Sequence, residues 1–123
     1  MPAFTCTVTD NTQGPFSLYK VLVGQAQTGL TVGGTFPPVG ANLGTGRIVA
    51  YVSIQSDPTN GAGSLIYVGD NQLLITGANQ GARLTVGAFK EVNPGRGGNA
   101  WANLIYFNTD TNTSKINFIV FYG

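Results

Sequence analysis

Five carboxylates, one thiol and no imidazole are what this 123-residue chain offers to chemistry. The carboxylates are Asp10, Asp57, Asp70, Glu91 and Asp110. All but Glu91 lie beside turn formers such as Asn, Pro or Thr, where an Asp usually bonds its own turn backbone. A glycosidase would need two carboxyl groups facing each other across a cleft, and nothing in the spacing brings two together. Asp110-Thr111-Asn112 places two oxygen ligands at i and i+2, a fragment of a calcium loop without the closing Glu. A Ser or Thr nucleophile has no histidine base to activate it. Cys6 stands alone, so the chain forms no internal disulfide and offers no thiolate metal site. It falls on the apolar side of the alternation Phe4-Thr5-Cys6-Thr7-Val8-Thr9 and reads as a small buried hydrophobe. The glycine-rich stretches 40–46 and 95–98 lack the spacing, Lys and Ser/Thr of a phosphate loop. Arg96, within Pro94-Gly95-Arg96-Gly97-Gly98, carries a planar fork of donors suited to a partner's carboxylate or carbonyl; the plainer reading is a solvated loop arginine. These residues argue against an enzyme, and neither a cofactor nor a metal is expected.

Charge points the same way. Charged residues make up 9% of the chain, against roughly 25% in an ordinary soluble domain. The net charge is +1, from six basic and five acidic residues. A field that weak steers neither nucleic acid nor an anionic membrane, so neither is expected as a partner. A near-neutral surface favours association, as in a subunit whose surface is covered by other protein. No apolar run approaches the roughly 18 residues of a membrane helix. The start, Met1-Pro2-Ala3-Phe4, lacks the basic-then-apolar order of a secretory signal. The expected setting is a cytoplasm, or a particle assembled in one.

The elements that must position these residues read as strands, punctuated by Gly and Pro every eight to twelve residues, with no convincing 3.6-residue period. Residues 4–9, 16–23, 30–36, 47–55, 65–68, 72–76, 82–86, 89–92, 101–108 and 115–122 are the predicted strands. In 16–23 both parities are apolar, with Tyr19, Val21 and Val23 opposite Phe16, Leu18 and Leu22. A strand covered on both faces, or facing a sister subunit, would explain that. The turn Asp57-Pro58-Thr59-Asn60-Gly61 predicts a hairpin between 47–55 and 65–68. In the last strand Ile116, Phe118 and Val120 share one face, with Lys115, Asn117, Ile119 and Phe121 on the other. Leu30-Thr31-Val32-Gly33 recurs as Leu84-Thr85-Val86-Gly87, and each copy leads through a Gly/Pro loop to an apolar strand, a faint duplication. The expectation is one domain over 1–123. It is all-β, an antiparallel sandwich, jelly-roll-like, with about eight to ten strands and no significant helix. The aromatics, seven Phe, five Tyr and one Trp, would mostly fill its core; Trp101, at a strand start, reads as a core-edge residue or a binding platform.

The segment Gly63-Ser64-Leu65-Ile66-Tyr67-Val68-Gly69-Asp70, followed by Leu84-Thr85-Val86-Gly87, carries a resemblance, as does the ending Asn103-Leu104-Ile105-Tyr106-Phe107 … Asp110 … Ile116-Asn117-Phe118-Ile119-Val120-Phe121-Tyr122. Over roughly residues 60–123 the chain resembles small structural proteins of tailed-bacteriophage virions, of the head decoration or cement type. The resemblance implies a β-sandwich on the outer surface of the head, as a homotrimer where capsomers meet, with the major capsid protein as partner. It transfers no catalytic residue. The expected contact elements are the N-terminal strand (Phe4), the face bearing Tyr19 and Val21, and the glycine loops at Gly44, Arg96 and Gly97. A tail, neck or head-fibre component is the second reading. A carbohydrate-binding module, which would need exposed aromatics beside polar groups, is the third.

Overall fold

A computed structural model describes residues 3–22, 24–34, 49–92 and 104–122. They form two antiparallel sheets. The first holds five strands in the order β3-β1-β9-β4-β7, where β1 is Ala3–Val8, β3 Leu30–Gly34, β4 Val49–Ser56, β7 Phe89–Val92 and β9 Ser114–Tyr122. The second holds four in the order β2-β8-β5-β6, where β2 is Phe16–Ser17, β5 Ile66–Gly69, β6 Ala82–Leu84 and β8 Tyr106–Thr109. The all-β, sandwich-like expectation holds.

The alternation that defines the strands also builds the core. Phe4, Cys6 and Val8 of β1 lie opposite Phe118, Ile116 and Ser114 of β9, and all six are buried. Val52, Ile54 and Ser56 of β4 continue the same inner face. From the other sheet come Phe16, Ile66, Val68, Leu84 and Phe107. Phe118 links the two layers. Its ring stacks on Phe4 at 4.9 Å within its own sheet and meets Phe107 edge-on at 5.2 Å across the sandwich, the offset and T-shaped arrangements that a ring quadrupole favours. Cys6 is fully enclosed, and desolvation pushes its thiol up to about 12.

Four expectations are corrected. The strand expected over 16–23 is a two-residue strand followed by the helix α1, Leu18–Leu22. Its buried residues Leu18, Val21 and Leu22 fall at i, i+3 and i+4, one face of a helix; read at period two, that spacing looked like a strand apolar on both sides. The predicted 47–55/65–68 hairpin is absent, because β4 and β5 belong to different sheets and the Asp57 turn carries the chain between layers. The strand expected at 72–76 is irregular. There Leu73 is buried and lies where a side chain on Gly69 would sit, so the 70–81 loop folds back on its own sheet. As for the duplication, Leu30–Gly34 is a strand throughout, whereas β6 ends at Leu84 and the chain turns at Gly87, φ +82°.

Candidate interaction surface

The carboxylates organise turns. Asp10 accepts hydrogen bonds from the Thr12 amide and hydroxyl, and Asp57 from the Thr59 amide and hydroxyl. In each case the threonine hydroxyl is the foremost influence holding the carboxyl below its ordinary range. Asp70 accepts from the Gln72 amide. Asp110 accepts from the Thr111 hydroxyl at 2.9 Å and also reaches across to the Leu65 amide at 3.0 Å. Asn112 Oδ1 accepts from the Asn11 amide, so both oxygens of the calcium-loop fragment hold neighbouring chain. Among the described residues, no three His, Cys, Asp or Glu side chains come together as a metal site.

The expected contact residues disperse. Phe4 and Val21 are buried in the chain's own core, at 3% and 1% exposure, and neither side chain reaches the surface. Phe4 points inward because it shares the Cys6–Val8 face of β1; Val21 lies on the inner stripe of α1. Tyr19, on the outer side of that helix, is 37% exposed. Gly44, Arg96, Gly97 and Trp101 lie outside the described residues.

The outer faces of the two sheets differ. On the four-stranded sheet, Tyr67 and Asn108 face outward in register with each other, yet both are buried. Asn108 Nδ2 donates to the Asn11 carbonyl, and the 70–81 loop brings Leu73 onto Gly69. Tyr67 and Asn108 are thus covered by the chain itself, while Arg83, in register with Tyr67, is exposed. On the five-stranded sheet one cross-strand row runs Gly33, Thr5, Asn117, Gln55, Phe89. The row beside it places Ile119 opposite Ser53, and Ser53 opposite Glu91. Phe89 is 66% exposed and Ile119 38%. Between them is a shallow hollow of about 210 Å³, lined also by Ser53, Gln55 and Asn117.

The polar groups of that face are joined to one another. Thr5 Oγ1 donates to Asn117 Oδ1 at 2.8 Å, and Asn117 Nδ2 donates to Asp57 Oδ2 at 3.0 Å. Gln55 Nε2 donates to the Gly87 carbonyl. The amides therefore brace the strands side to side and present a face without charge in its central row. The exposed apolar side chains of that face are Phe89 and Ile119, with Glu91 opposite Ser53 in the adjoining row. Sequence reasoning missed Phe89 and Gln55 as surface elements. The signal was the parity of β9, which put Asn117 and Ile119 opposite the core, carried across the sheet to their partners on β4 and β7.

Compared with protein-family models, curated protein sequences and solved structures, the chain has no significant match to any.

Proposed function

We propose that this chain is a structural virion subunit, a capsid decoration (cement) protein that binds the outer surface of a tailed-bacteriophage head and stabilises contacts between capsomers. Its partners are the major capsid protein and further copies of itself, and it catalyses nothing. The observation that carries the reading is the one-sided surface. On one sheet the outward Tyr67 and Asn108 are buried, while the other presents an uncharged row that ends at Phe89, with Ile119 in the row beside it. A second support is topological. With β3 set aside, the sheets run β1-β9-β4-β7 and β2-β8-β5-β6, an order that supports the jelly-roll reading, an architecture that recurs in viral capsid domains. The third is the likeness of residues 60–123 to phage virion proteins described above.

The test is direct. Purified chain is added at micromolar concentration to phage heads that lack decoration, and the heads are sedimented and imaged. Bound density on the outer shell is the expected result; heads that stay bare reject the proposal. Copy number per virion separates this role from a tail, neck or fibre position, since a head subunit tracks the number of capsomers and a tail component the symmetry of a ring.

A further inference from the structure

An antiparallel sandwich has four sheet edges, and each is a row of unpaired backbone donors and acceptors that invites another strand unless it is blunted. Three of the four are blunted here. β2 is only two residues long, and the Gln27 side chain occupies Ser17, accepting from its amide at 2.8 Å and donating to its carbonyl at 3.1 Å. β6 is three residues long and exposes Arg83. β7 carries Lys90 and Glu91, both exposed; Lys90 pairs in register with buried Ile54 and so stands on the inward side of the rim. Short strands, edge charges and inward-pointing lysines are the recognised protections.

β3 has none of them. Leu30-Thr31-Val32-Gly33-Gly34 is five residues long, contains no charge and no proline, and pairs only with β1 among the described residues. Among the described residues the five-stranded sheet is one strand wider than its partner; Leu30 packs against the core, while Thr31, Val32 and Gly33 are exposed. Val32, in register with fully buried Cys6, is on the inner side yet 43% exposed.

From these observations we infer that β3 is a self-pairing edge: two copies of the chain join antiparallel through β3 about a two-fold axis at Val32, making one continuous ten-stranded sheet. The occupant of an open edge must be extended backbone, and this strand fits itself. A two-fold axis at Val32 sets Val32 against its own copy, Thr31 against Gly33 and Leu30 against Gly34. The β-branched pair packs well across strands. Each larger side chain then faces a glycine. At Gly33 the space a side chain would fill meets nothing closer than the Thr5 carbonyl oxygen at 3.9 Å, which leaves room for the partner's Thr31. The strand is uncharged, so the symmetric approach brings no like charges together. A pairing of this kind is closed and isologous, and it exposes two copies of the Phe89–Ile119 face. The inference deepens the reading as an assembly subunit by naming the first partner, a second copy of this chain.

Sedimentation equilibrium of the full chain tests it, together with oxidative cross-linking. The wild-type chain is expected at twice its 12.8 kDa mass. Val32→Lys, which sets two ammonium groups face to face across the axis, is expected to return it to a single copy. Val32→Cys, a milder change should the lysine disturb folding, is expected to form a disulfide-linked pair on oxidation, with Glu91→Cys at the opposite edge giving none. Buried Cys6 does not interfere. A monomeric wild type, a trimeric mass, a dimer that survives Val32→Lys, or Val32→Cys chains that fail to cross-link would each overturn the pairing; cross-linking through Glu91→Cys would reassign it to β7. These readouts use the isolated chain, so pairing and head binding can fail independently.

Discussion

Replacing Phe118 by alanine removes a ring that contacts both layers of the sandwich. The side chain is fully buried, with Phe4 stacked at 4.9 Å and Phe107 edge-on at 5.2 Å. Truncating a core Phe costs about 3–5 kcal/mol through lost transfer energy and the cavity left behind. Ring pairs add about 0.5–1.5 kcal/mol each beyond their area, and Phe118 has two such partners. Phe118→Ala is therefore expected at the upper end of that range, about 4–5 kcal/mol, a large part of the stability of a typical domain. Phe16→Ala is the comparison. Phe16 is as deeply buried, but its ring partner Phe107 is 6.0 Å away and tilted, so about 3 kcal/mol is expected. Urea unfolding followed by circular dichroism reads both as shifts in midpoint at constant slope, at one fixed chain concentration because self-association would raise apparent stability. A double-mutant cycle with Phe4→Leu and Phe118→Leu isolates the stacked pair and should return a coupling of about 1 kcal/mol. The reasoning fails if Phe118→Ala costs no more than Phe16→Ala, or if the cycle gives no coupling.

Asn60 ties the interlayer turn to β9, donating to the Lys115 carbonyl at 2.9 Å and accepting from its amide at 2.8 Å; Asn60→Ala should cost about 1–3 kcal/mol and speed hydrogen exchange at the Lys115 amide. Gly81 sits at φ +62° with the Val68 carbonyl against the position of a side chain, so Gly81→Ala should destabilise by about 2 kcal/mol or more, and a neutral result would mean that the 70–81 loop does not dock as described. Asp10 and Asp57 have lowered folded-state pKa values. Their contribution is therefore full above about pH 4, the unfolded value, and is lost as pH falls through the folded values. Carboxyl NMR titration should find both midpoints below the ordinary Asp range, with Thr59→Val moving Asp57 back toward it. Cys6, its thiol pushed up to about 12 by burial, should resist a thiol reagent at pH 8 in the native chain and react at once in denaturant.

What the sequence made legible follows from how strongly one face of each element is buried. β1, β4 and β9 have one wet and one dry face, so period two shows in their letters, and the inward sets Phe4–Cys6–Val8, Val52–Ile54 and Ile116–Phe118–Val120 could be read directly. The helix α1 was missed because five residues give a single i, i+3, i+4 triplet, and Leu18, Val21 and Leu22 mimic a strand apolar on both sides. The false hairpin at Asp57 has a different origin. An Asx turn bonded by Thr59 reverses the chain in the same way whether the next strand returns to the same sheet or crosses to the other. The choice is made by the long-range ties Asn60–Lys115 and Asp110–Leu65, which no local window contains.

The surface is harder to read than the core because nothing periodic marks it. Phe4 is expected at a contact as part of the N-terminal strand and Val21 as part of a run apolar on both parities, and the core claims both. Phe89 was unremarkable as a letter; it is exposed because β7 is an edge and because Gln55, its register partner, points outward. The edges themselves, however, are written in composition. Arg83 and the Lys90-Glu91 pair fall on edge strands, where charge prevents unwanted pairing, in a chain with only eleven charged residues to place. A chain so sparing of charge that still protects these edges and leaves Leu30-Thr31-Val32-Gly33-Gly34 bare is one in which the bare edge is the exception. An unprotected edge invites further strands unless the pairing closes, and a two-fold axis through Val32 closes it after two copies. Lysine at position 32 is accordingly expected to act on assembly far more than on folding.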